Sequence, residues 1–284
     1  MSETDRRRKR LFPDAGADLD HLRHIPETPQ TRSPTYRLAF ADPDFMLRDE
    51  LRPVRLQLEL MKPELILAEE GVESTVVIFG GARILPPEDR HAARTPLHAR
   101  LSRYYEEARD FAYRVTLRSL ETGGRELVVT TGGGPGAMEA GNRGAAEAGG
   151  RSVGLGIVLP HEQAPNLYVT PELSFNFHYF AIRKMHFLMR AKCIAVFPGG
   201  FGTLDELFET LTLIQTGRMN RIPIFLFGRE FWDQVVDFGK LAEAGTISPE
   251  DLALFRFVET GREAAEALFA WIEKEGDIPT LHEP

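Results

Sequence analysis

Cysteine is nearly absent, with one in 284 residues, at Cys193. A lone thiol excludes an intrachain disulfide framework, and its place at the head of an apolar, β-branched run marks it as buried and inert rather than nucleophilic. Long apolar runs are missing too. None approaches the roughly 20 residues that cross a bilayer, so no membrane association is expected. An excess of positive charge is also lacking, because 34 Lys and Arg face 42 Asp and Glu for a formal charge of -8. With a sequence pI of about 5.6, nucleic acid is not an expected partner. The basic cluster Arg6, Arg7, Arg8, Lys9 and Arg10 is followed by LFPDAGADLDHL, which has no apolar signal-peptide segment. It reads as the solvated terminus of a cytoplasmic protein. No histidines or cysteines fall at metal-ligand spacing; His178 and His186 read as core or surface residues, and no metal is expected.

At 43% hydrophobic and 27% charged residues, the chain can bury a full α/β core. Residues 1–34 are polar, proline-dotted and aperiodic, and are expected to form a flexible arm or one that wraps a partner subunit. Across 35–73, apolar residues such as Phe45, Leu51, Leu58 and Leu65 recur in a helical pattern that Pro53 and Pro63 interrupt, which predicts an extension of broken helices. From residue 74 to 284, short β-branched runs at 75–79, 126–131, 153–158, 194–197, 222–227 and 255–258 alternate with amphipathic stretches. These include 97–121, a small-residue helix ending near Gly149, a helix bearing Tyr179 to Leu188, a helix near 230–244 and one at 262–274. The segment 161–177 between them reads as a loop. Such alternation predicts one domain with a doubly wound, mostly parallel sheet flanked by helices.

Three of these strands run straight into glycine: Gly80 and Gly81 after the first, Gly132, Gly133, Gly134 and Gly136 after the second, and Gly199, Gly200 and Gly202 after the fourth. Glycine lets backbone N–H groups approach a bound group, and a helix start offers unpaired donors with a partial positive charge, so an anion, and specifically a phosphate, is expected at 198–203. The turns should open together at the C-terminal edge of the sheet. Gly132, Gly134 and Ala137 also form a G-x-G-x-x-A variant of the dinucleotide fingerprint, but the next strand, VGLGIVLP, lacks the acidic residue that would hold a ribose diol. No glycine is followed by Lys and Ser or Thr in the register of a P-loop.

Thr203, Leu204, Asp205 and Glu206 fit a capping box, S/T-x-x-E. The same Glu206 stands one turn from the expected phosphate, where a carboxylate would face the sugar of a phosphorylated ligand. Spacing leaves capping and catalysis equally open. Arg183 and Lys184 are adjacent cations in an otherwise apolar and aromatic helix, FHYFAIRKMHFLM, which suits an anionic ligand or a buried carboxylate better than a surface ion pair.

TGGGPGAMEA at 131–140, the Arg183 and Lys184 pair, and PGGFGTLDE at 198–206 resemble, in that order, the LONELY GUY (LOG) family, long mislabelled as lysine decarboxylases. The resemblance covers roughly 74–272, with the segment before it like that of the longer bacterial members. It implies a Rossmann-like homodimer, or a higher homo-oligomer, that hydrolyses the N-glycosidic bond of a nucleoside 5′-monophosphate, AMP or a cytokinin ribotide, without metal or organic cofactor. It assigns Arg183 and Glu206 as the catalytic pair, and Gly199, Gly200, Gly202 and Thr203 as the phosphate loop. Gly133, Gly134 and Gly136 would line the facing loop, with Glu162, Lys184 and Thr212 as further substrate contacts. The base would lie against residues 161–166 and 175–180. A nucleotide or molybdenum-cofactor carrier of the same fold is the alternative; it would have no need of Arg183 and Glu206. Decarboxylation through pyridoxal phosphate suits the residues badly, because Lys184 has no evident pyridine partner.

Overall fold

The computed structural model describes residues 14–160 and 164–275. The basic cluster at 6–10 and Glu162 lie outside them. The chain divides into two compact units, Met1–Leu58 and Glu59–Pro284. In the first, helix α1 (Ala15–Leu22) starts where the Asp14 carboxylate accepts from Ala17 N at 2.9 Å, and the short α2 (Pro43–Met46) is capped by Asp42. No described residue before Glu59 is buried.

Helix α3 (Arg52–Glu69) belongs to the first unit by its opening residues and to the second from Glu59 onward. It does not break as the two prolines suggest. Pro53 falls in the first turn, where a missing N–H costs nothing, and Pro63 is accommodated inside the helix with its ring buried. A proline at 63 deprives the carbonyl of Glu59 of its helical donor; His186 Nε2 supplies one instead, at 3.2 Å.

The second unit is built on a seven-stranded sheet of order β4-β3-β2-β1-β5-β6-β7, parallel at every pairing. Its strands are β1 (Thr75–Phe79), β2 (Val128–Thr131), β3 (Ser152–Ile157), β4 (Ser174–Phe177), β5 (Ala191–Val196), β6 (Ile224–Phe227) and β7 (Arg256–Val258). Helices α4 (Pro96–Leu101), α5 (Arg103–Glu121), α6 (Ala137–Glu147), α7 (Phe180–Leu188), α8 (Phe201–Gln215), α9 (Arg229–Val235), α10 (Phe238–Glu243) and α11 (Gly261–Glu275) complete the unit. This is the Rossmann-like doubly wound architecture. β1 is buried along its whole length and feeds two cores. Val76 and Ile78 pack with Tyr105, Phe111 and Phe227 on one face, while Val77 and Phe79 pack with Phe177, Phe187 and Leu207 on the other.

Three further details depart from the sequence reading. The end of the expected loop is a strand, β4, whose Phe175 and Phe177 are buried while Ser174 and Asn176 are exposed. As an edge strand it needs only one apolar face. The stretch 97–121 is two helices, parted at Ser102, whose hydroxyl donates to Leu85 O at 2.7 Å. The stretch 230–244 is likewise divided, with Asp237 starting α10 by accepting from Lys240 N at 2.8 Å.

The glycine turn after β2 is held from behind by a buried polar hub. Asn142 Oδ1 accepts from Thr131 Oγ1 at 2.7 Å and from Asn166 Nδ2 at 2.9 Å, and its own Nδ2 donates to Ser152 Oγ at 3.0 Å. Asn166 also donates to the carbonyls of Gly133 and Gly134, each at 3.0 Å. Replacing Asn142 strands several buried partners at once. Asn142→Ala is therefore expected to lose on the order of 3 kcal/mol in denaturant unfolding, with a larger effect than Asn166→Ala at the half-buried rim.

Candidate functional site

β1 through β4 wind to one side and β5 through β7 to the other, so the direction reverses between β1 and β5. At such a reversal the loops leaving the C-terminal ends of the strands diverge, and a crevice opens. The loops here are interlocked by backbone bonds: Phe197 N to Phe79 O at 2.8 Å, Gly81 N to Pro198 O at 3.0 Å and Ala137 N to Gly81 O at 3.2 Å. Gly136, at φ 71°, is where the turn after β2 touches the loop after β1; a Cβ there would sit 2.4 Å from Gly81 O. The two glycine turns thus converge on the loop after β1.

A cavity of about 350 Å³ fills the crevice, within the usual size of small-molecule sites. Gly80, Gly81, Gly132, Gly200 and Gly202 bring its walls close to the backbone, Met138, Ile157, Leu159 and Phe180 make one side apolar, and Arg183, Asp205 and Glu206 supply charge.

Helix α8 opens directly on the cavity. Its N-cap is Gly200, with no side-chain cap, so first-turn N–H groups remain for a ligand. The capping box is not formed. Thr203 lies inside the first turn, and Glu206 is turned inward, 6% exposed, with its Oε2 buried and lacking a hydrogen-bond partner. Burial pushes its carboxyl up to about 7; the charges of Lys184 and Arg183 work against the rise, and those of Glu209 and Asp205 add to it.

Arg183 reaches the cavity from α7. Its Nε donates to Leu155 O at 2.7 Å, and its guanidinium lies over the Phe187 ring, 5.1 Å from the centroid. It occupies the space a side chain on Gly132 would need, since a Cβ there would be 2.7 Å from Nη2.

The remaining expected residues divide by position. Gly200, Gly202 and Thr203 line the cavity with Arg183 and Glu206. Gly133, Gly134, Gly136 and Gly199 shape the turns but do not line it, whereas Gly132 does. Lys184 is drawn aside to Asp205 and Glu209 of α8, at 2.9 Å each, and so ties α7 to α8. Thr212 is exposed on the fourth turn of α8, its hydroxyl donating to Phe208 O, and is not among the residues lining the cavity. Asp205, Met138, Ile157 and Leu159 line the site without having been singled out. The glycines after β1 were the available signal for the third wall.

The topology and the crevice define a Rossmann-like α/β domain with a cavity of small-molecule size at its switch point. Residues 138–268 of it match the family described as "Possible lysine decarboxylase", a span that holds Arg183, Lys184 and 198–206. No curated protein matches the chain. Among solved structures, the molybdenum cofactor binding protein of Rippkaea orientalis is similar at 18% identity and a TM-score of 0.44, over 70% of this chain and 98% of that one. The Moco carrier protein of Chlamydomonas reinhardtii is similar at 16% identity and a TM-score of 0.46, over 71% and 99%. Among the described residues, no group of acidic, His and Cys side chains fits a metal, and no helix is long and apolar enough to cross a membrane. The pyridoxal chemistry that a lysine decarboxylase would need does not fit Lys184. Despite burial, its bonds to Glu209 and Asp205 raise its ammonium pKa and keep it protonated.

Because Glu206 binds its proton more tightly folded, at about 7, than at the ordinary 4.5, its ionisation opposes folding. The stability it contributes is whole below pH 4.5 and is lost as the pH rises to about 7. Glu206→Gln, which cannot ionise, is expected to melt above wild type at pH 8, by up to about 3 kcal/mol. In thermal scans that difference should close as the pH falls toward 4.5.

Proposed function

We propose that the protein hydrolyses the N-glycosidic bond of a nucleoside 5′-monophosphate, releasing free base and ribose 5-phosphate. The observation that carries this reading is the buried, partnerless Oε2 of Glu206, one turn into a helix whose uncapped start opens on the same cavity. In this reading the phosphate takes the donors at Gly200, Gly202 and Thr203. The ribose then lies against Glu206, and the base lies along Ile157, Leu159 and Phe180.

As the bond from C1′ to the base nitrogen breaks, positive charge develops on the ribose ring, and ionised Glu206 stabilises it. The same carboxylate takes a proton from the water whose oxygen bonds to C1′, while the departing base nitrogen takes a proton from solvent and Glu206 afterwards returns its own to solvent. Arg183 orients Glu206 and the sugar hydroxyls. Binding the remote phosphate fixes the reacting geometry and so lowers the barrier. Phe201, 93% exposed beside the phosphate loop, and Phe180, 54% exposed at the cavity, suit burial against a second copy in a homodimer or higher homo-oligomer.

Incubation with AMP, CMP, GMP and an isopentenyladenine ribotide, followed by chromatography of free base, is expected to show cleavage of at least one monophosphate and none of its nucleoside. Glu206→Gln should retain binding and lose roughly 10²–10⁴-fold in kcat. Binding without release of base from any of them would replace hydrolysis by the carrier reading. For wild type, kcat/KM should climb through an acid limb near the Glu206 value of about 7, since the working form is the carboxylate. A flat profile from pH 5 to 8 would remove Glu206 from the chemistry.

A further inference from the structure

The helix that carries Arg183 is gripped along its length by another that the family motifs do not include. Tyr179, the N-cap of α7, provides no side-chain cap. The cap comes from α3 instead: the Glu59 carboxylate accepts from His178 N at 2.8 Å through Oε1 and from Tyr179 N at 3.0 Å through Oε2. A carboxylate in that place satisfies two orphan donors and complements the positive end of α7. The carbonyl of the same residue, released by Pro63, receives His186 Nε2 from the last turn of α7. One turn further along α3, Glu64 pairs with Arg190 just beyond α7, through Nη1 and, at 3.1 Å, through Nη2, and stands 3.5 Å from His186 Nδ1. His186 and Arg190 are almost wholly buried there, with side chains 0% and 9% exposed.

Arg183 sits between these clamps. Its own N–H donates to Tyr179 O at 3.1 Å, so the peptide that Glu59 holds on one side begins the turn that places Arg183. On the opposite side Lys184 fastens α7 to α8 and to the neighbours of Glu206. We infer that Glu59 is a positioning residue for Arg183: its carboxylate, acting as the cap of α7 from a separate helix, sets where the guanidinium stands relative to Glu206. This rests on the proposed function only in taking Arg183 to act on substrate. The placement of its side chain can be read without turnover.

The test uses the full chain with Glu59→Ala, the conservative Glu59→Gln, which keeps one acceptor oxygen, Arg183→Ala, and the double variant Glu59→Ala/Arg183→Ala. The first measurement is solvent exchange of the Arg183 Nε–H by nitrogen-detected NMR, its signal assigned by its disappearance in Arg183→Lys. The bond to Leu155 O should protect this proton in wild type. Glu59→Ala should speed its exchange roughly tenfold or more, and Glu59→Gln should restore part of the protection. The second measurement is kcat and KM for whichever monophosphate is cleaved. Glu59→Ala should lower kcat roughly 10- to 100-fold with KM little changed, as expected of a misplaced catalytic group, and should add little to the loss already present in Arg183→Ala.

Unchanged Arg183 exchange in a folded Glu59→Ala or Glu59→Gln protein would overturn the inference. So would losses that simply multiply in the double variant. If Glu59→Ala does not fold, Glu59→Gln decides alone, faster exchange supporting the inference and wild-type exchange overturning it. If wild type cleaves no monophosphate, the proposed function fails while the exchange experiment still returns its own answer.

Discussion

A carboxyl group with one oxygen shut away from water and bonded to nothing is unfavourable, and the geometry around Glu206 shows what keeps it in place. Its backbone belongs to α8, whose apolar face, Leu207 and Ile214, is committed to the core beside β1 and β5. The helix cannot roll to expose Glu206 without withdrawing those side chains. Lys184 and Arg183 bring positive charge toward the group, and Asp205 and Glu209 bring negative charge. Burial outweighs these opposed charges and leaves a carboxyl that exchanges its proton near neutrality, a property expected of a group that works in acid–base chemistry. The glycine turns are subordinate to the same requirement, since only closely packed backbone lets the start of α8, the loop after β1 and Arg183 share one small cavity.

The sheet explains why the cavity is there at all. With β1 in the middle and β5 beside it, the turns after both strands must part, because their chains leave toward opposite flanks of the domain. Interlocking bonds among Phe79, Gly81, Pro198 and Ala137 keep the parted loops from drifting. The Asn142 hub anchors the third turn, so that three walls of the cavity belong to rigid elements. Rigid walls with unmatched backbone donors are suited to holding an anion at a fixed distance from a side chain.

The alternation of β-branched runs with amphipathic stretches was legible in the chain, and it gave the doubly wound sheet and six of the strands. β4 was not, because SFNF between proline and aromatic residues has an edge strand's half-pattern and no length to confirm it. The glycine motifs marked the right turns but not the face each glycine shows. Gly132 borders the cavity and Gly133 does not, a difference set by φ and by Asn166 rather than by composition. For Glu206, S/T-x-x-E spacing suits both a cap and an inward-facing acid. The choice is made by Gly200 taking the N-cap, which begins the helix three residues earlier than Thr203 as cap would. Lys184 looked like Arg183 in sequence, but adjacent residues on a helix point about 100° apart. One therefore reaches the cavity and the other the acids of α8.

Pro63 looks like a defect in α3, yet it works as an address. By withholding one proton from its own helix it leaves a carbonyl that only an outside donor can satisfy, and His186 is that donor. A chain trimmed to begin at the first strand would lose that carbonyl together with both carboxylates, stranding the amides of His178 and Tyr179, the imidazole of His186 and the guanidinium of Arg190. The smallest piece of the protein that keeps α7 in its place therefore starts well upstream of the sheet, no later than the turn of α3 that contains Glu59.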